Sequence, residues 1–256
     1  MRFVTRFAPS PTGPLHLGHA YSALLAYDMA QAAQGRFLLR IEDIDQSRAR
    51  RSWEEQIYDD LAWLGITWET PVRRQSDHLK HYRHALAQLR EQLLLFPCVC
   101  NRRDIQNALS APQEGAPAYG PDGLIYPGTC RNKSISSDDV LNASLRLNMA
   151  KARAAIREPL HFLETGKGSG RAAEKIDFTE EDLTQTLGDI VLARRDMGTS
   201  YHLSVVVDDA AQGVTHVVRG ADLFDATRIH VVLQKLLNLP TPIYHHHRLI
   251  RDDKGK

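Results

Sequence analysis

The 256-residue chain is 43% hydrophobic and 25% charged, the proportions of an ordinary globular protein with room for a sizeable core. With 32 Lys and Arg against 31 Asp and Glu it carries no global nucleic-acid footprint, only local basic clusters: Arg48/Arg50/Arg51, Arg73/Arg74 and Arg194/Arg195. No apolar run has transmembrane length, no secretory leader is evident, and three cysteines are an odd number for a disulfide framework, so a cytoplasmic location is expected.

In chain order, residues 2–7 predict a strand that runs into a turn of Pro9, Ser10, Pro11, Thr12, Gly13 and Pro14. A helix is predicted over 17–34, closed by Gly35 in a left-handed cap, and a second strand over 37–41. Strand, turn, helix, strand is a βαβ unit, so the predicted fold class is α/β, a parallel sheet binding ligand at its carboxyl edge. Helices follow over 47–64, closed by Gly65, and over 77–95. The Pro/Gly-rich stretch 96–132 reads as a small inserted module. Strands are predicted at 145–149, 189–193, 203–207 and 214–218, a loop at 164–175, and a last helix over about 222–237.

His16 and His19 sit three apart at the start of the first helix and project from one face. A helix amino end suits phosphate, and Gly18 between the histidines lets a flat base approach the backbone. Two imidazoles there can donate to the oxygens of a transition state at the α-phosphorus. Such pairs also occur as plain surface or core residues, but this one follows a strand and a Pro-Ser-Pro-Thr-Gly-Pro turn and opens a long helix.

The segment Arg6-Phe-Ala-Pro-Ser-Pro-Thr-Gly-Pro-Leu-His-Leu-Gly-His19 resembles the first signature of class I aminoacyl-tRNA synthetases, in the form used by glutamyl-tRNA synthetases. Leu39-Arg-Ile-Glu-Asp-Ile-Asp45 and Leu61-Ala-Trp-Leu-Gly-Ile-Thr-Trp68 resemble the blocks that follow. The resemblance implies a Rossmann-like catalytic domain that forms an aminoacyl adenylate. It implies catalytic roles for His16 and His19, and ATP binding, with magnesium, by Pro9, Ser10, Thr12, Gly13, His16, Gly18 and His19. It places glutamate against Arg6, Ala8, Ser10, Glu42, Tyr201 and Arg219, with Glu42 facing the ammonium and the arginines near the carboxylates. Taken alone, Arg6, Glu42, Tyr201 and Arg219 read more readily as ordinary ion pairs between strand ends; only the resemblance lifts them above that. Asp208 and Asp209, at the end of an apolar strand, are expected to support the pocket from behind.

Cys98 and Cys100 point the same way on an extended chain, and with Cys130 they offer three zinc ligands or three small buried apolar groups. The fourth ligand is not a cysteine; chemistry alone favours a histidine or water. Cys-x-Cys followed by Tyr126-x-x-x-Cys130 resembles the zinc site of the short relatives of glutamyl-tRNA synthetase, the glutamyl-queuosine tRNA(Asp) synthetases, which implies Tyr126 as the fourth ligand of a structural zinc. The same resemblance implies residues 1–95 and 186–256 as two halves of the catalytic domain, with 96–185 an inserted zinc-containing module that faces the acceptor.

With the given sequence ending at Lys256, the helical anticodon-reading part of a full glutamyl-tRNA synthetase is not expected. The resemblance therefore implies a monomer that activates L-glutamate with ATP and joins it to queuosine of tRNA(Asp). Arg248 to Lys256 resembles the approach to the second signature loop, whose lysine is expected past Lys256; Lys254 and Lys256 are not assigned that role. His245, His246 and His247 are expected in a loop. The alternatives are a glutamyl-tRNA synthetase catalytic fragment, a non-catalytic zinc-stabilised RNA-binding module, and a different His-x-Gly-His adenylyltransferase.

Overall fold

The computed structural model describes residues 2–110, 119–133, 143–166 and 174–251. Strand β1 (Val4–Phe7) leads through the Pro-rich turn into helix α1 (Leu17–Ala32), and β2 (Arg36–Ile41) returns parallel to β1, with Val4 opposite Arg36 and Phe7 opposite Leu39. This is the predicted βαβ unit. Buried Ala23, Ala26 and Ala30 let α1 lie close against Phe37, Leu39 and Ile41. The left-handed residue after α1 is Gln34 (φ 50°), not Gly35. Gly35 is required for another reason: a Cβ there would lie 2.4 Å from the Phe3 carbonyl oxygen.

Helix α2 (Arg51–Trp63) starts later than predicted because Asp45 ties the preceding turn, accepting from Ser47 N and Oγ and from Arg48 Nε. It closes on Gly65 at φ 75°, as expected. Strand β3 (Arg73–Arg74) joins β2, and the helix expected over 77–95 is a 3₁₀ turn, Gln75–His78, followed by α3 (Leu79–Glu91). A turn over 92–94 follows, and only the last residue of that run, Leu95, begins β4 (Leu95–Cys98). After α4 (Arg102–Ser110) and the short hairpin β5 (Tyr119–Gly120) and β6 (Gly123–Leu124) come β7 (Ser144–Leu147) and α5 (Met149–Ala155). Strands β8 (Leu160–Glu164) and β9 (Glu174–Phe178) frame the predicted loop, whose residues 167–173 lie outside the described residues.

Strand β10 (Val191–Ala193) pairs antiparallel with β7, which also pairs antiparallel with β4. The strand predicted at 203–207 is instead helix α6 (Tyr201–Ala211), capped by the Ser200 side chain accepting from Leu203 N. A short continuous apolar run fits a buried helix as well as a buried strand, and here Leu203, Val205 and Val206 are all buried. Asp208 and Asp209 therefore stand on a helix, not at a strand end.

Strand β11 (His216–Gly220), a 3₁₀ turn Ala221–Leu223, α7 (Thr227–Leu236) and β12 (Ile243–His247) follow. The three histidines predicted as a loop are in β12. Strands β11, β12 and β8 run parallel, with β9 antiparallel at the edge. Thr215 N donates to the Val4 carbonyl at 2.9 Å and Val4 N to Thr215 Oγ1 at 2.8 Å, which joins β1 to the start of β11. The carboxyl ends of β1, β2, β11 and β12 thus converge at one edge, where open α/β sheets hold ligands. No helix among the described residues is long and apolar enough to cross a membrane.

Candidate active site

At that edge opens a cavity of about 430 Å³. It is lined by Arg6 on β1 and Ala8 just after it, His16, Gly18 and His19 at the start of α1, Glu42 after β2, Tyr201 on α6 and Arg219 on β11. Eight residues singled out from the sequence are so brought together; Pro9, Ser10, Thr12 and Gly13 are not in its lining. Ser22, Asp222 and His247 also line it and were not anticipated. Ser22 follows His19 at helical spacing, so its place was readable. His247 was not, because β12 was read as a loop.

The histidines are fixed by the helix they open. His16 is the N-cap residue of α1, and its Nδ1 accepts from Gly18 N at 3.1 Å, while His19 Nδ1 accepts from His16 N at 3.2 Å. The rings stack with centroids 3.7 Å apart. Because each Nδ1 accepts, the proton of each neutral ring lies on Nε2, which leaves two donors for an anion. Burial, and then His16, lower the pKa of His19 from its ordinary value. A Cβ on Gly18 would lie 3.0 Å from the His16 ring. Gly18→Ala is therefore expected to displace His16 and slow by about tenfold the adenylate formation that the sequence resemblance implies, with little change in thermal stability, since alanine favours a helix over glycine. Pyrophosphate exchange and a melting curve on the same preparation check this.

Beneath the cavity lies a buried charge network. Asp209 accepts from Arg6 Nε at 2.9 Å and Arg40 Nη1 at 2.7 Å, and Arg40 Nη2 reaches Glu42 at 3.1 Å. Asp208 accepts from Arg73, Gln75 and the Tyr82 hydroxyl. Burial would raise the Asp209 carboxyl, but Arg6 and Arg40 outweigh it and hold its pKa below 3.8. Glu42 goes the other way: burial raises it, and Arg40 and Arg6 offset this only in part. Even with Arg40 at 3.1 Å, burial leaves Glu42 a carboxylate not fully compensated, which suits an ammonium group.

Asp209→Asn would leave two buried arginines under-compensated, and a loss of about 3–5 kcal/mol in unfolding free energy is expected. Because the folded pKa lies below 3.8, this stability is full above that pH and is lost as pH falls through the folded value. The variant should lack the corresponding part of the wild-type acid limb in urea titrations.

Arg219 is buried, and its donors go to neutral acceptors: His246 Nε2 at 3.1 Å, His230 Nδ1 at 3.1 Å, Thr227 Oγ1 at 2.7 Å and the Leu223 carbonyl at 3.2 Å. Among the described residues no carboxylate lies within 4.0 Å of it. It is a buried cation with no carboxylate counter-charge among the described residues, at the wall of a cavity.

The cysteine cluster lies at the end of β4. The sulfurs of Cys98, Cys100 and Cys130 all fall within 4.8 Å of one another, with Cys100 and Cys130 3.5 Å apart. The Tyr126 hydroxyl is 3.3 Å from Cys98 and 3.6 Å from Cys100. Four donors around a tetrahedral zinc with bonds of about 2.3 Å would stand about 3.8 Å apart, so the set fits a metal. Burial pushes Cys100 up to about 11; Cys130, despite burial, is held at about 7 by hydrogen bonds from Tyr126 and its neighbours. Without a cation the cluster therefore holds one easily formed thiolate. In the basic clusters, Arg48, Arg51, Arg73 and Arg74 pair with Asp45, Glu55, Asp208 and Glu54; Arg48 and Arg51 stay exposed all the same, as do Arg194 and Arg195.

Residues 2–256 match the family described as tRNA synthetases class I (E and Q), catalytic domain. A glutamyl-Q tRNA(Asp) synthetase from Rhodobacter capsulatus is 60% identical over 99% of this chain and 89% of its own length. Another, from Verminephrobacter eiseniae, is 40% identical over 99% of this chain and 80% of its own. A solved glutamate tRNA ligase from Elizabethkingia meningosepticum, in complex with its amino acid, superposes with a TM-score of 0.77 at 26% identity. It is covered over all of this chain and 51% of its own, so this chain spans about half its length. By sequence and by fold, the chain belongs to the class I tRNA synthetases of the E and Q family.

Proposed function

We propose that this protein activates L-glutamate with ATP and transfers the glutamyl group to the queuosine base of tRNA(Asp). The observation that carries the reading is the presence, in one cavity, of two groups short of counter-charge: a buried arginine with no carboxylate partner among the described residues, and a buried glutamate whose ion pair with Arg40 offsets its burial only in part. A zwitterionic dicarboxylate amino acid supplies both. Arg219 takes a carboxylate, Glu42 the ammonium, and Arg6, clamped by Asp209, lends positive charge to the floor. The α-carboxylate attacks the α-phosphorus of ATP, a C–O–P link forms and pyrophosphate leaves with its magnesium. His16 and His19 donate from Nε2 to the phosphate oxygens; Pro9, Ser10, Thr12 and Gly13 shape the turn that meets the nucleotide. The names of the most similar curated relatives support queuosine-bearing tRNA(Asp) as the acceptor. The stretch 96–185 acts as an inserted acceptor-facing module, held by a structural zinc on Cys98, Cys100, Tyr126 and Cys130.

Glutamate-dependent exchange of labelled pyrophosphate into ATP, run on the full-length protein without tRNA, tests the activation step. Exchange with glutamate and not with glutamine or aspartate is expected. No exchange, with RNA binding intact, would favour a non-catalytic zinc-stabilised RNA-binding module.

A further inference from the structure

A second cavity, of about 770 Å³, lies between the amino end of α6, the β5–β6 hairpin and the cysteine cluster. It meets the first cavity at Tyr201 and Leu223, which line both. A chain of hydrogen bonds also links them. His230 Nδ1 lies 3.1 Å from Arg219 Nη1, His230 Nε2 lies 3.1 Å from His202 Nδ1, and His202 Nε2 lies 3.4 Å from Asp122 Oδ1.

Arg219 sets the direction of every bond in this chain, because a guanidinium only donates. His230 Nδ1 must accept, so its proton is on Nε2 and is given to His202 Nδ1. His202 then carries its own proton on Nε2, aimed at Asp122 in the second cavity. On the other side the same rule holds: Arg219 Nε donates to His246 Nε2, so His246 Nδ1 donates to Glu164 Oε2. Burial, and then Arg219, hold His230 well below the ordinary imidazole value, which keeps it in the neutral form this order needs.

We propose that His202 and Asp122 form the hydroxyl-recognition pair of the acceptor site: the Nε2–H of His202 donates to a hydroxyl oxygen, and the Asp122 carboxylate accepts from that hydroxyl or its neighbour on a vicinal diol. The proposal rests on the glutamyl-transfer reading above. A hydroxyl both accepts and donates, which matches an imidazole N–H beside a carboxylate. His202 is 6% exposed and held from behind, whereas Asp122 sits on an exposed turn, so their 3.4 Å contact can open to admit an oxygen between them. Exposed Arg194 and Arg195 on the rim suit the phosphates of a nucleic-acid acceptor. Arg219 thereby aligns the amino-acid site and orients the acceptor donor through His230.

The test uses full-length wild type, His202→Leu, His202→Gln and Asp122→Asn, with queuosine-bearing tRNA(Asp) as acceptor. In kcat/KM for the tRNA, His202→Leu is expected to lose about 100-fold or more and Asp122→Asn about tenfold, while pyrophosphate exchange falls by less than about threefold. His202→Gln, which keeps an N–H donor, should recover about tenfold of the leucine loss. Ring-nitrogen NMR of the free protein should show His202 and His230 as Nε2–H tautomers. Equal losses in exchange and transfer would make His202 a mere support for Arg219 and overturn the proposal. So would undiminished transfer, or an Nδ1–H tautomer at His202. Wild type that exchanges pyrophosphate but glutamylates no queuosine-bearing tRNA would instead sink the reading on which the proposal rests.

Discussion

Replacing Arg219 with leucine is expected to raise the KM for glutamate by about 30-fold to several thousand-fold, the range that follows from removing one partner of a buried charge pair at about 2–5 kcal/mol. The guanidinium is buried among neutral acceptors with no carboxylate partner among the described residues, so the substrate carboxylate of the proposed reaction would be its counter-charge. Removing it leaves the substrate carboxylate in a poorly hydrated site without a counter-charge. Arg219→Lys should fare little better, since one ammonium cannot reach His230, His246 and Thr227 together while facing the substrate. The loss should fall on KM for glutamate and leave KM for ATP close to wild type, because His16 and His19 are held by their own helix cap. Steady-state exchange kinetics at varied glutamate and ATP separate the two. A rise in both constants together would mean general collapse of the cavity.

Stripping the zinc proposed for the cysteine cluster is expected to have the second-largest effect. The apolar core around the cysteines is small, consisting of Phe96, Cys98, Tyr126 and Cys130 with Cys100 and Ile105 packed against it. A core of that size does not hold a module without a staple. Arg131 pairs with Asp189, just before β10, at 2.7 Å, and the Arg146 guanidinium packs 4.0 Å over the Tyr126 ring. A chelator, or Cys130→Ser, should bring bound zinc below about half an equivalent and lower Tm by about 5–10 °C. Transfer to tRNA should fall much further than pyrophosphate exchange, since His16, His19, Glu42 and Arg219 belong to the other cavity. Retention should also fall as pH drops, because zinc needs the thiolates and a bare Cys130 thiol titrates at about 7. Metal analysis after dialysis at several pH values checks the sign. A protein that never held zinc, yet melts unchanged with all three cysteines replaced by serine, would contradict the staple.

Where local chemistry is decisive the sequence was readable. The β1–α1–β2 unit, the Gly65 stop and the His16–His19 pair each follow from a turn, a cap or a period within a few residues. The cavity likewise gathers Arg6, Ala8, Glu42, Tyr201 and Arg219, which are far apart along the chain but were linked by the family's motifs. What escaped was set by tertiary contacts. Leu203 to Val207 is β-branched and apolar enough for a strand, yet Ser200 caps it as a helix that is buried along its length. His245 to His247 look like polar loop residues until Glu164 and Arg219, distant in sequence, supply the partners that let His246 lie buried in β12. The directions of the histidine bonds could not be read from spacing, because they are imposed by a single arginine.

The central claim is tested most directly by supplying the full-length protein with labelled glutamate, ATP and separate tRNA pools: tRNA(Glu), tRNA(Asp) bearing queuosine and tRNA(Asp) lacking it. Label on queuosine-bearing tRNA(Asp) alone is the predicted result. Charging of tRNA(Glu) in its place would contradict it and make the chain the catalytic part of a glutamyl-tRNA synthetase.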